Sequence, residues 1–312
     1  MEERIFHVLM KDLCSEMGIN IEVLSYGWIL QLSKNGNIRH ITGNRFDINP
    51  EATGNIACDK YATYEVLKSQ QVPIIEHAMI FNPSTRSSYI PDEGIWQHII
   101  NYYIQYGPTM VVKPNNGSGG QGVYLCHNLG EVEIAIEKLF KTNGSLSICP
   151  YYDISTEYRT FYLNEECMLI YGKTKPFVVG DGFHTVAELI TELNLPDNNI
   201  VGENIRNIDT KYVPANGEKI EISWKHNLSG GATSQILEDG PLKDQIQSLV
   251  RAAGHAMNIR FATIDVIQTS NNKLYVMEVN SGVCMTNFIE KTEGGYEIAK
   301  SIYRKALEAL FN

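Results

Sequence analysis

Val111-Val112-Lys113-Pro114 runs directly into a turn, residues 115–122, that holds four glycines in six positions from Gly117 to Gly122. Glycine opens backbone conformations closed to other residues and lets the chain approach a ligand closely. Successive N–H groups in such a turn can point at phosphate oxygens, and Lys113 adds a positive charge beside them. No Gly-Lys-Ser/Thr closes the loop, which separates it from the P-loop. Val123-Tyr124-Leu125 reads as a strand, so the segment is a hairpin lid, although an ordinary glycine-rich hairpin turn has the same composition. A second chemical feature lies near the C-terminus. Asp265 sits in the apolar run Ala262–Ile267, and Glu278 and Asn280 sit in Leu274–Asn280. Side chains alternate along a strand, which puts Glu278 and Asn280 on one face. If Ser270-Asn271-Asn272 turns a hairpin, Asp265 falls opposite or diagonal to Glu278. Two carboxylates so close repel unless protonated or metal-bound, and hard oxygen donors suit Mg²⁺. The plainer alternative is a solvated sheet face, which the apolar neighbours disfavour.

Other chargeable residues lie between these features. Glu157 and Arg159 follow Cys149-Pro150-Tyr151-Tyr152-Asp153, Lys173 and Lys175 come next, and Lys225-His226-Asn227 precede Leu228–Gly231. Arginine suits two-point contact with a carboxylate or phosphate, and a surface ion pair is the competing role for Arg159 and Lys173. His226 is given no proton transfer.

The elements that must position these groups follow from periodicity. Strands are expected at 19–24, 28–33, 72–75, 146–149, 157–163, 167–173, 220–224, 261–267 and 274–280. Helices are expected after Asp59, near 93–105, around Val132–Phe140, from the Thr185/Glu188 capping box to about 193, from Pro241 to Met257, and over 296–310. Residues 194–210 read as a mobile loop. The mixture means an α+β fold, or an α/β fold with an antiparallel core sheet, in two or three compact units.

Composition narrows the classes. The chain has 312 residues, 43% hydrophobic and 20% charged, with a formal charge of −10. That charge weighs against a general nucleic-acid binder. No apolar run approaches a membrane span, and the acidic start lacks signal-peptide order. Six scattered cysteines without a C-x-x-C pair argue against a zinc site or disulfide framework and predict a cytoplasmic setting.

In this order the pieces resemble the ATP-grasp superfamily, in the branch of cyanophycin synthetases and fused glutathione synthetases and more distantly D-alanine–D-alanine ligases. The matching text is Ile56-Ala-Cys-Asp-Lys60 with Thr63 and Leu67, Val111-Val-Lys-Pro with the glycine loop, Glu157-Tyr-Arg159, Val178–Gly182 with Thr185–Leu189, Asn227–Gly231, and Asp265 with Glu278-Val-Asn280-Ser281. The resemblance covers about residues 56–312. It implies two α+β subdomains gripping ATP, a lid at 93–152 and a C-terminal unit at 153–312, preceded by a small N-terminal α/β domain at 1–92 that helps build the substrate site.

By the same resemblance Lys113 and Lys173 (or Lys175) contact the α- and β-phosphates. Asn116, Gly117, Ser118, Gly119, Gly120, Gln121 and Gly122 close over the β- and γ-phosphates. Tyr151 and Tyr152 belong to the hinge at the adenine edge, and Asp153 or Glu157 holds the ribose. Asp265, Glu278 and Asn280 match the Mg²⁺ ligands, usually for two ions. Arg159, Lys225 and Asn227 are the catalytic candidates, with Arg159 and Asn227 beside an acyl phosphate. The implied partners are a small-molecule carboxylate and an amine, and a homodimer is compatible with the family.

Three departures stand out. The usual hinge glutamate is replaced by Cys149 or Pro150. Thr263 stands where D-alanine ligases carry an arginine, and Ser281-Gly-Val-Cys-Met replaces Ser-Pro-Gly. The expected activity is ATP-dependent carboxylate–amine ligation. The competing ones are a nucleotide-binding subunit without turnover, and a phosphotransferase or carboxylate–thiol ligase.

Overall fold

Alternation near the N-terminus builds a meander, and a helix covers it. In the computed structural model, which describes residues 4–84, 94–117, 119–193, 208–226 and 234–312, the chain opens with α1 (Ile5–Glu16). The strands β1 (Asn20–Leu24), β2 (Ile29–Lys34), β3 (Asn37–Thr42) and β4 (Arg45–Phe46) follow as an antiparallel sheet in chain order. Asn35 and Gly36 both take positive φ, the geometry of the tight turn between β2 and β3. α1 lies ahead of the first expected strand, where no helix is expected. Its helical stripe of Phe6, Leu9, Met10 and Leu13 is buried against the C-terminal helix rather than against its own sheet alone.

Two helices, α2 (Glu51–Ile56) and α3 (Lys60–Ser69), lead into the second unit. Asp59 caps α3 by accepting from Ala62 N at 2.8 Å. The expected strand at 72–75 is instead an isolated parallel bridge from Ile74 to Val276. Pro73 has no N–H to donate, so only its carbonyl joins, accepting from Val276 N at 2.9 Å.

The lid sheet contains β5 (Ala78–Phe81), β6 (Met110–Pro114), β7 (Tyr124–Cys126) and β8 (Ser145–Pro150), in the order β5-β8-β6-β7. Between these strands run α4 (Ile95–Tyr106) and α5 (Leu129–Phe140). β5, which the expected division leaves with the N-terminal unit, is hydrogen-bonded to β8.

The remaining elements are β9 (Ile154–Leu163), β10 (Glu166–Lys173), β11 (Phe177–Val179), α6 (Val186–Glu192), β12 (Lys219–Glu221), β13 (Ser234–Ile236), α7 (Pro241–Met257), β14 (Phe261–Thr269), β15 (Leu274–Asn280), α8 (Thr286–Lys291) and α9 (Gly295–Phe311). Among them β13-β10-β9-β14-β15 form one antiparallel sheet, while β11 and β12 pair separately under the Thr185/Glu188 capping box. The expected strand at 220–224 keeps only Lys219–Glu221. Of the expected loop at 194–210, residues 194–207 lie outside the described residues.

The five-stranded sheet is covered on both faces. On one side Tyr158, Tyr162, Ala262, Ile264 and Val266 meet α3 and α7. There Gly254 of α7 sits so close to β9 that an added β-carbon would meet the Tyr162 ring, with Cε1 at 2.6 Å. Gly254→Ala should therefore lower the melting temperature, although alanine gains up to ~1 kcal/mol in helix propensity. Overpacking a rigid buried ring costs ~1–3 kcal/mol and wins. An unchanged or higher melting temperature in calorimetry would contradict that balance. On the opposite face Phe161, Leu163, Leu169, Tyr171 and Phe261 pack beneath α1, α9 and the N-terminal sheet. Phe46 stacks on Tyr303 at 5.9 Å and meets Phe261 edge-on at 5.1 Å, joining the first sheet to the last.

Candidate active site

The face that buries Phe161, Tyr171 and Phe261 changes character one step further along each strand. Alternation carries it to Glu157 and Arg159 on β9, Lys173 on β10, Asp265 on β14, and Glu278 and Asn280 on β15. Register then sets the neighbours: Asp265 lies directly opposite Glu278 on one side and Arg159 on the other. Arg159 grips Asp265 with two parallel bonds, Nε to Oδ1 at 2.8 Å and Nη2 to Oδ2 at 2.7 Å. Lys173 Nζ donates to Glu157 Oε1 and stands 3.7 Å from Asp265 Oδ1.

Burial alone would raise the Asp265 carboxyl. The charges of Arg159 and Lys173 outweigh it and hold the group down to about 2. Glu157 moves the other way: burial, reinforced by the Asp265 charge, raises it against the pull of Lys173.

The lid supplies the opposite wall. β6 pairs with β7 from Met110↔Cys126 to Val112↔Tyr124, so the glycine turn is a hairpin. Lys113 is buried in the lid sheet at its base. Gly119 and Gly120 have φ of 68° and 72°, a conformation L side chains rarely adopt. The base of the turn is tied to α3: Tyr61 N donates to Asn115 Oδ1 at 3.2 Å, and Lys60 Nζ donates to Gly117 O at 2.5 Å. Burial lowers the Lys60 pKa and Lys113 adds to the effect, while the charge of Glu278 opposes both.

Between the walls lies a cavity of about 670 Å³. Its apolar end is lined by Ile75, Val111, Cys149, Tyr152, Ile267 and Met277, a slot suited to a flat ring. Lys60, Lys113, Glu157, Arg159, Lys173, Asp265, Glu278 and Asn280 line its charged middle. Gly117, Gly119, Gly120, Gln121, Tyr151 and Lys225 also face it, and Lys225 Nζ donates to Gly120 O at 3.4 Å. Of the two lysines left open, Lys173 lines the cavity. Lys175 pairs with Glu221 at 3.1 Å and does not.

Three expected residues are absent from the lining. Asn116 is one. Gly122 packs toward Leu139 and Pro114, and the Asp153 carbonyl accepts from Ser270 N at 3.0 Å. Ser118 and Asn227 lie outside the described residues. Sequence reasoning gave no role to Trp28, Arg45, Cys58, Lys60, Trp224 or Cys284, all of which line the cavity. Lys60 had a visible signal, since it follows the helix-capping Asp59.

His226 also lines the cavity. Burial, with help from Lys175 and Lys173, lowers its pKa to about 4. The His77 pKa is also lowered, by burial and then by Lys113 and Lys60, while its Nδ1 meets Ser147 Oγ at 2.7 Å. Both rings are neutral when folded and titrate near 6.5 when exposed. The unfolded chain therefore takes up more protons below that value, and stability present above pH 6.5 is lost as pH falls toward 4. The melting temperature should drop between pH 7 and pH 5, and His77→Asn should make the decline shallower. Calorimetric slopes that coincide for the two proteins would refute this.

A family model described as RimK-like ATP-grasp domain matches residues 207–305. The glutathione biosynthesis bifunctional protein GshAB of Streptococcus agalactiae serotype V is 23% identical over 306 residues, 90% of this chain and 38% of that protein. The cyanophycin synthetase of Nostoc sp. is 26% identical over 321 residues, 94% of this chain and 33% of that protein. The chain thus spans well under half the length of these curated relatives. Among solved structures, the bifunctional glutathione synthetase of Pasteurella multocida superposes with a TM-score of 0.55 at 18% identity, covering 96% of this chain and 44% of that one. D-alanine–D-alanine ligase of Bacillus anthracis gives 0.55 at 16% identity, covering 84% and 69%.

Proposed function

We propose, from the premise that this chain has the ATP-grasp fold, that it is an ATP-dependent ligase joining a carboxylate to an amine, with an amino acid or small peptide among its substrates. One observation carries the reading. The glycine turn after β6 and the Asp265–Glu278–Asn280 set line facing walls of a single cavity. The names of the relatives, for glutathione biosynthesis and cyanophycin synthesis, agree with it.

ATP is a substrate here, with its base in the apolar slot and its phosphates toward Lys113, Lys60 and Lys173. A carboxylate oxygen attacks the γ-phosphorus, the bond to the β–γ bridging oxygen breaks, and ADP leaves. The amine nitrogen then attacks the acyl carbon, the carbon–oxygen bond to phosphate breaks, and the nitrogen sheds a proton as phosphate departs. Such transfer depends on positioning and on positive charge around the moving phosphoryl group. The cavity meets that need locally: Lys60, Lys113, Arg159, Lys173 and Lys225 face Glu157, Asp265 and Glu278 in a chain of charge −10.

The donor set fits Mg²⁺. Asp265, Glu278 and Asn280 offer hard oxygens at adjacent register positions, though both Asp265 oxygens also accept from Arg159. Bound there, the ion would neutralise phosphate charge. Arg159 orients Asp265, and Lys225 with Lys60 tethers the glycine turn.

The test is incubation with ATP, Mg²⁺ and pools of acids and amines. ADP and phosphate should be released together, and hydroxylamine should trap an acyl hydroxamate. AMP with pyrophosphate, or a stable phosphorylated product, would overturn the reading.

A further inference from the structure

The end of the cavity away from the apolar slot is built by the N-terminal sheet and by the segment after β15. Trp28, Thr42, Gly43, Asn44 and Arg45 line it from one side, and Ser281 and Gly282 from the other. The two sides are joined by backbone. Arg45 bridges antiparallel to Gly282, and Val283 N donates to Asn44 O at 2.9 Å. The Arg45 side chain runs over Gly282, with Cγ 3.6 Å from where a β-carbon there would stand, an ordinary van der Waals distance. Its Nη2 donates to Cys58 Sγ at 2.9 Å. A thiol is a weak acceptor for a guanidinium, and the remaining N–H donors of the planar fork are suited to a carboxylate. No acidic side chain forms an ion pair with Arg45 among the described residues. Beside it, Trp28 stands 60% exposed over Gly43, its ring only 3.1 Å from a β-carbon placed there. Gly43 has φ +60°, so the lip is shaped by a residue that both the turn and the ring require.

We propose that Arg45 binds a substrate carboxylate other than the one being activated, with Trp28 as the flat wall alongside. The assignment rests on the ligase reading above and adds the class of substrate: a molecule that keeps one free carboxylate through the reaction. That group belongs either to the acid, as its second carboxylate, or to an amino-acid acceptor.

The test measures ADP release by the full chain with matched probes. In the acid arm L-glutamate is compared with L-glutamine and succinate with succinamate. In the acceptor arm glycine is compared with glycinamide and L-alanine with L-alaninamide. Wild type should prefer the free carboxylate in one arm only, which identifies the source. Arg45→Gln should raise KM for that carboxylate about 10- to 100-fold, with KM for ATP moved less than about 2-fold. Arg45→Lys should restore part of the loss, because charge returns without the fork. Wild-type turnover with no preference in either arm, or an unchanged preference in Arg45→Gln, would overturn the Arg45 assignment and leave the ligase reading standing. No ADP release by wild type with any pair would overturn the ligase reading itself.

Discussion

Glu278→Gln should reduce ADP release by roughly a thousandfold or more while leaving nucleotide binding measurable. Glu278 is directly opposite Asp265 and lines the charged middle of the cavity, and its charge acts on Lys60 beneath the glycine turn. The amide keeps the shape and one oxygen but removes the negative charge that a hard cation requires. Removing a single electrostatic contributor to a transition state typically costs ~10²–10³ in rate. A cation ligand is expected to lie at or beyond the upper end of that range. Binding of an ATP analogue should survive because the apolar slot of Ile75, Val111 and Ile267 is untouched. Titration calorimetry and a coupled ADP assay separate the two effects. A variant that keeps the wild-type rate would remove Glu278 from the cation site.

Asp265→Asn should lose activity and stability together, and the stability loss is the more informative. Asp265 is 2% exposed and receives both arms of Arg159, with Lys173 at 3.7 Å. Without the carboxylate two cations remain beside a single partner, Glu157. Breaking a buried pair from one side costs ~3–5 kcal/mol, because the remaining charge is left uncompensated. The Arg159 side chain retains 29% exposure, which screens part of this, so about 3 kcal/mol is expected. At ~2–4 °C per kcal/mol that is a fall of several degrees in melting temperature. The double variant Arg159→Met/Asp265→Asn should recover part of the loss, since it removes the orphaned charge. Strictly additive single effects would mean that the two residues are not coupled.

Local pattern made much of this site readable. The apolar run around Asp265 and the alternation from Glu278 to Asn280 identified two strands, and the Ser270–Asn272 turn fixed their pairing, as the register bears out. The glycine turn was equally plain, because its two flanks carry strand character. What stayed hidden depends on distant partners. Arg159 meets Asp265 across 106 positions, and nothing near either residue announces that β9 and β14 are neighbours. Lys60 stood inside a motif whose text was recognisable, yet its task comes from Asn115 and Gly117, more than fifty positions away. Trp28 and Arg45 belong to a stretch without a motif, delivered to the cavity by the packing of Phe46 on Tyr303 and Phe261 and by the Arg45–Gly282 bridge. At 72–75 the apolar letters suggested a strand, and the missing N–H of Pro73 limited it to a bridge.

The aromatic contact between Phe46, Tyr303 and Phe261 also divides labour between the two jaws of the cleft. It makes the N-terminal sheet and the five-stranded sheet one anvil, on which the lip formed by Trp28 and Arg45 keeps its distance from the carboxylates. The hairpin that follows Lys113 is fastened to the start of α3 by polar bonds from Lys60 and Tyr61 instead. If the ligase reading holds, changes to the lip around Trp28 and Arg45 should alter substrate choice while leaving the Arg159–Asp265 pair as it is.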